Sequence, residues 1–379
     1  MKRNIMISTC VAALLTLQAQ AQNFTTKKAV LGQLRVANDY FMKKWPDPHK
    51  TIITNKERPA NIWTRGVYYE GLLAFYSIDP NPAYYQYAVT WGEKHQWKPV
   101  RGEVYTRHAD NQNCGMSYID LYRLDPSKPE RIKAIKENID SLIRTDKYTD
   151  WTWIDAIQMA MPIFVKLGVT YKDPKYFDAM YKMYHHIKYS EGGHGLYNPK
   201  DSLWWRDKDF IPPYAEPNGE DCYWSRGNGW VLAALALVLQ ELPKSDPHYA
   251  EYKEDFIQLA KAVVPLQRQD GFWNVSLHDA NHFGGKEASG TALFVYGMTW
   301  GVNNGILDKA AFLAPIEKGW QAISKESIQP NGFLGYIQST GKEPKDGQPV
   351  LRDKTPDFED YGLGCVLLAG TEVYKLVQP

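Results

Sequence analysis

Apolar residues recur at helical spacing along nearly the whole chain, and every second helical segment opens in the same unusual way. About twelve segments carry the pattern, near 28–45, 62–79, 82–96, 110–125, 129–146, 154–168, 173–188, 226–242, 249–269, 288–305, 310–327 and 360–375. Little strand-like alternation lies between them. Six of them begin with blocks rich in glycine, small residues, aromatics and polar groups: Trp63-Thr64-Arg65-Gly66, Asp110 to Gly115, Trp153-Ile154-Asp155, Trp224 to Trp230, Glu287 to Ala292, and Asp360 to Gly364. Small residues let helices approach closely, and polar groups at a helix start satisfy its free N–H groups while lining a cleft. The other six look like an outer layer. The segment 129–146 shows the charged spacing of a solvated face, with Lys133, Lys136, Glu137 and Asp140. Six inner helices paired with six outer ones make an all-α (α/α)6 barrel of the six-hairpin type. An open solenoid would show a short consensus repeat, and none is present.

Residues 1–21 read as a signal peptide, with Lys2 and Arg3, an apolar core from Val11 to Leu17, and Ala19-Gln20-Ala21 as the cleavage site. The apolar run is too short to span a bilayer. The mature chain is therefore expected to start near Gln22, to work outside the cytoplasm, in the periplasm, and to fold as one domain over 22–379. It carries no linker-like or low-complexity stretch. Removing Lys2 and Arg3 leaves 42 basic against 43 acidic residues, a net charge of about −1. With no basic cluster, nucleic acid and anionic membrane are not expected partners. Three cysteines remain, Cys114, Cys222 and Cys365, so at least one is unpaired. No C-x-x-C or H-E-x-x-H pattern suggests a metal, and no P-loop or G-x-G-x-x-G suggests a nucleotide cofactor. No G-x-S-x-G marks a serine nucleophile.

The 13 Trp and 25 Tyr offer flat apolar faces with polar edges, which suit stacking on sugar rings as well as packing a large core. Asp155 sits beside Trp151 and Trp153 at a helix start. Apolar neighbours raise a carboxyl pKa, the usual route to a general acid near neutral pH, although an aspartate there can also be a cap. Asp110 opens another inner helix, where it can face Asp155 across the mouth or cap its own helix. In Trp224 to Trp230, Arg226 can hold a carboxylate and the tryptophans can wall a ring. Arg65 is a candidate subsite residue. His194, in a glycine turn, can donate to substrate or simply finish the turn. The long excursion 189–225, with Gly192, Gly193, Gly195, Trp204 and Trp205, reads as a binding loop. A second polar excursion, 328–359, carries Gly332, Tyr336 and Gln338. These features leave open an inverting glycosidase using Asp155 and Asp110 and a non-catalytic sugar-binding protein.

From about Trp63 to Tyr374 the chain resembles the unsaturated rhamnogalacturonyl and glucuronyl hydrolases of glycoside hydrolase family 105, and more distantly family 88. The most specific matches are W-x-R-G-N-G-W at 224–230 and I-D-x-x-x-M-x-x-P at 154–162. E-x-S-G-T-A at 287–292 and Y-G-x-G-x-x-L-L-A at 361–369 support them. The resemblance implies hydration of the C4=C5 double bond in the terminal uronic acid of a lyase product, without metal or cofactor. Asp155 would then protonate C4 and activate the water that adds at C5. Asp110 would orient substrate, with Trp153, Trp224, Arg226 and Trp230 at substrate-contacting positions. Many members carry a histidine just after a G-L-[FY]-[YF] run. Here Gly195-Leu196-Tyr197 is followed by Asn198-Pro199, and that role is not transferred; the loop 198–221, with Trp204, Trp205 and Arg206, is expected to define a subgroup with a different substrate.

Overall fold

The computed structural model describes residues 25–53, 57–353 and 359–377. The expected signal peptide lies outside these residues. The inner helices are α2 (Trp63–Tyr76), α5 (Cys114–Leu124, preceded by the single turn α4, Ala109–Gln112), α7 (Asp155–Tyr171), α9 (Ser225–Glu241), α11 (Ala288–Asn303) and α13 (Glu359–Leu376). The outer helices are α1 (Lys27–Lys44), α3 (Pro82–Lys94), α6 (Glu130–Arg144), α8 (Lys175–Tyr189), α10 (Tyr249–Val263) and α12 (Lys309–Ala322). Each inner helix packs against the next, and α13 closes the ring onto α2. This is the expected (α/α)6 barrel.

Sequence dictates the division into layers. Helix α9 is buried at every position from Ser225 to Leu239, and α11 from Ala288 to Gly301. A helix apolar on all sides must be surrounded by others. Helix α6 instead buries one stripe, including Ile132, Ile135, Ile139 and Leu142. Its outer face carries Lys136, whose Nζ lies 2.6 Å from Asp140 four residues on. Three of the six outer helices begin on ordinary caps: Thr26 accepts from Ala29 N, Asn81 from Ala83 N with Pro82 at the first turn, and Asp308 from Ala310 N. The inner ring closes tightly because Gly71 and Gly364 face each other. A Cβ at Gly71 would collide with the Gly364 backbone, and one at Gly364 with the Val67 carbonyl.

The polar starts of the inner helices gather at one end. At the opposite end Lys166 Nζ meets Asp120 at 2.6 Å and Arg123 NH1 meets Glu241 at 2.7 Å, along the wall of a cavity of about 510 Å³. Between the two ends, Gln158 donates to both oxygens of buried Glu70 at 3.1 and 3.2 Å. Two short antiparallel hairpins interrupt the helical pattern, Ile52–Ile53 with Glu57–Arg58 and Tyr197–Asn198 with Leu203–Trp204. Both fall in connecting segments where periodicity gave no strand signal.

Candidate active site

A cavity of about 270 Å³ opens at the polar end of the barrel. Its floor and walls come from helix starts: Trp63 on α2, Asp110 on α4, and Trp153, Asp155 and Met159 at α7. Loops complete it with Arg58, Arg206, Thr340 and Gly341. A second cavity of about 350 Å³ lies alongside and shares Trp153 and Arg206. It adds Glu191, Asp207, Lys208, Asp209 and Lys342 among its lining residues.

Asp155 is the first residue of α7, but the helix is capped by Ile154 without a side-chain bond. Asp155 Oδ2 is buried and has no hydrogen-bond partner. Burial raises its pKa, against the opposing charges of Arg206 and then Arg226. Asp110 likewise does not cap its helix, which starts from His108. Desolvation, reinforced by the Asp155 charge, pushes Asp110 up to about 7 despite Arg206 and Arg58. The two carboxyl groups face one cavity, and burial makes both hold their protons more readily than an exposed aspartate does. Trp153 forms one wall, its ring 5.0 Å from that of His108. Trp63 forms another, packed edge-on to Trp230 at 6.3 Å and tilted against Tyr361 at 5.2 Å.

Other residues singled out in the sequence stand behind these walls. Arg226 is buried, and its NH1 and NH2 donate to the Gln338 carbonyl (2.9 Å), the Tyr361 hydroxyl (3.0 Å) and the Ser339 carbonyl (2.8 Å). It thereby fixes the strand of loop that brings Thr340 and Gly341 to the cavity. Trp224 is buried under that guanidinium, and its Nε1 donates to Gln338 Oε1 at 2.9 Å. Trp230 is fully buried behind Trp63. Arg65 is buried in an ion pair with Asp360 at 3.1 Å, with its guanidinium over Trp45. His194 is exposed and lines neither cavity. Glu287 is the N-cap of α11, accepting from Ser289 N and Gly290 N. The matched block at 287–292 is thus a helix start of structural purpose.

Arg206 is the site residue that periodicity could not find. It follows the hairpin strand Leu203–Trp204, and Trp153 and Asp207 form a bridge beside it. Ile154 N donates to the Arg206 carbonyl at 2.9 Å, which locks the hairpin against the start of α7. Its Nε comes within 3.4 Å of Asp155 Oδ2. The signal was present in the run Leu203-Trp204-Trp205-Arg206, which repeats the leucine and two aromatics of the family pattern and ends in arginine where a histidine was sought. The similar Gly195-Leu196-Tyr197 run drew attention upstream. Arg58, Thr340 and Gly341 come from loops that carry no spacing rule.

Among the described residues, Glu216, Asp279 and His282 bring possible metal-ligand atoms within 4.8 Å of one another. Hydrogen bonds already account for this group. Ser276 Oγ and the His282 ring meet Glu216, while Asp279 accepts from the backbone of Asn218, Asn281 and His282. It joins the 214–222 loop to the 274–285 loop and lines neither cavity. Cys114, Cys222 and Cys365 are all buried and free. Burial raises each thiol's pKa, Cys114 to about 12.

Comparison with known proteins places these features in context. The model of the family described as Glycosyl Hydrolase Family 88 matches residues 34–377. A curated protein of Formosa agariphila, named unsaturated 3S-rhamnoglycuronyl hydrolase, is 30% identical over 335 residues, covering 83% of this chain and 84% of that protein. A solved structure, a glycosyl hydrolase family 88 protein from Bacteroides vulgatus, superposes with a TM-score of 0.83 at 30% identity, covering 92% of this chain and 99% of the other. A family 105 glycoside hydrolase from C. acetobutylicum superposes with a TM-score of 0.70 at 18% identity, over 90% of this chain and 99% of that one, and shares the fold.

Proposed function

The chain belongs to Glycosyl Hydrolase Family 88, and from that premise we propose that it removes the terminal 4,5-unsaturated uronic acid from lyase-generated oligosaccharides by hydrating the C4=C5 double bond. The observation that carries this reading is Asp155: a buried carboxyl group, raised in pKa, with one oxygen unpartnered at a cavity that has room for a sugar ring.

The protonated Asp155 donates its proton to C4. The double-bond electrons form the new C–H bond, and positive charge develops at C5, stabilised by the ring oxygen. A water molecule then adds at C5 and returns a proton to the Asp155 carboxylate, which restores the acid. The C5 hemiketal opens by breaking its bond to the ring oxygen, and the hemiacetal left at C1 expels the remaining sugar. One group can serve as acid and then base when its pKa lies near the working pH. Asp110, protonated below about 7, offers a donor to the sugar hydroxyls or to the incoming water. Trp63 and Trp153 supply apolar faces for the ring.

The Formosa agariphila relative's name makes a rhamnose-linked unsaturated uronic acid the first disaccharide to assay. The test is to incubate lyase-generated oligosaccharides with the protein and follow the ultraviolet absorbance of the conjugated double bond together with the released sugar. Both should change together, and Asp155→Asn should abolish both. Sugar release from saturated substrates would instead favour an inverting glycosidase. On this reading the segment 1–21 directs export, and the enzyme meets its substrate outside the cytoplasm. Fractionation of cells expressing the full chain tests that point.

A further inference from the structure

The reaction places a demand on the site that Asp155 and Asp110 cannot meet. The uronic acid carries its carboxylate on C5, the neighbour of the carbon that Asp155 protonates. That anion must enter a partly desolvated cavity already lined by two carboxyl groups. An anion there needs a cation or several donors within hydrogen-bond reach.

Three guanidinium groups lie near enough to be considered. Arg226 is committed to the Gln338 and Ser339 carbonyls and the Tyr361 hydroxyl, and it does not line the cavity. Arg58 lines the cavity, and its charge acts on Asp110 as that of Arg206 does, but of these two only Arg206 also acts on Asp155. Arg206 remains. Its Nε is 3.4 Å from Asp155 Oδ2, yet the two atoms do not form a hydrogen bond and neither has another partner. An N–H donor therefore stands unused in the wall beside the acid. Its NH1 is held by Asp207 Oδ2 at 2.5 Å. Its backbone is pinned to Ile154 N at 2.9 Å, and two residues earlier Trp204 is held by Asn228. The guanidinium is fixed at both ends beside the Asp155 carboxyl group, and it borders both cavities.

We propose that Arg206 binds the C5 carboxylate of the unsaturated uronic acid and makes the enzyme specific for a charged terminal sugar. The proposal rests on the hydration reading above. It assigns the anchoring of the anion to the hairpin loop and leaves Arg226 the task of shaping the cavity wall.

The experiment compares one unsaturated disaccharide as the free acid and as its methyl ester, with kcat/KM measured for the wild type, Arg206→Gln, Arg206→Lys and Arg58→Gln. A charge-assisted hydrogen bond corresponds to a preference of about 10- to 100-fold, so the wild type should favour the acid by a ratio of that order. Arg206→Gln should reduce that ratio to within about threefold of unity, and Arg206→Lys should keep part of it because lysine retains the charge without the planar fork. Arg58→Gln should keep the full ratio. The ratio is taken within one protein, so an unfolded fraction cancels from it. If Arg206→Gln slows acid and ester by the same factor, or if Arg58→Gln collapses the ratio, or if the wild type does not distinguish the two, the assignment is wrong. Failure of the hydration reading would appear separately, as a wild type that leaves the double bond of the free acid intact.

Discussion

Asn228 grips the backbone of Trp204 with both ends of its amide: Oδ1 accepts from Trp204 N at 2.9 Å, and Nδ2 donates to Trp204 O at 3.0 Å. The same Nδ2 reaches the Trp224 carbonyl at 3.1 Å. The asparagine of the W-x-R-G-N-G-W block thus ties a hairpin, and through it Arg206, to an inner helix. Asn228→Ala would remove the side-chain partners of the buried Trp204 N–H and carbonyl, while the Trp224 carbonyl keeps the Asn228 backbone N–H. It should cost roughly 1–3 kcal/mol of stability in denaturant unfolding, and kcat/KM should fall further than the unfolded fraction explains. Asn228→Asp keeps the acceptor but sets a buried carboxylate oxygen against the Trp204 and Trp224 carbonyls, so it should cost at least as much as alanine.

The pH dependence of activity should follow the charges around Asp155. Burial and Asp207 raise its pKa, while Arg206 and Arg226 lower it. Asp110 faces it across the cavity. Because the reaction begins with the protonated acid, kcat/KM should decline as pH rises through the Asp155 pKa. Arg206→Gln removes a lowering charge, so the declining limb should move to higher pH by about one unit or more. A limb that stays in place would mean that a different group sets it.

Glu70 gives a prediction about stability. Burial pushes its pKa from 4.5 to about 7, with Lys166 and Gln158 opposing. In the unfolded chain it ionises near the ordinary value, so between these two values the folded state holds the extra proton. Stability from this group therefore falls as pH rises from about 4.5 to 7 and stays reduced above. Glu70→Gln should gain roughly 1–3 kcal/mol at pH 8 and little at pH 4, as read by thermal or denaturant unfolding.

His194→Ala should leave kcat/KM within about twofold of wild type, since surface changes away from buried or contacting groups have small effects. The ring is exposed and outside both cavities. A loss of tenfold or more in steady-state kinetics would return this histidine to the site.

The barrel was legible in the sequence because its determinants are periodic. An inner helix must be apolar all round and small where it meets its neighbour, and blocks such as Tyr361 to Ala369 announce both needs. Asp155 and Asp110 were legible because they open such helices. The direction of the neighbouring side chains was not. Trp63 and Arg65 lie two positions apart on one helix, about 200° around its axis, and the structure turns the tryptophan to the cavity and the arginine to Asp360. Arg226 and Trp224 stood out by composition, yet they act on the loop at 338–339 from behind the wall. Arg206, Thr340 and Gly341 reach the site from loops, whose paths depend on long-range contacts such as Asn228 with Trp204 and have no period to read.

The central claim is that the enzyme attacks the double bond and leaves the anomeric carbon alone. A sulfur-linked analogue of the unsaturated disaccharide resists hydrolysis at the anomeric carbon but keeps the C4=C5 bond. Absorbance of that bond, followed with wild type and Asp155→Asn, tests the claim most directly. The account predicts that the wild type removes the absorbance and the variant does not. Persistence of the absorbance under wild-type enzyme that cleaves the oxygen-linked substrate would contradict it.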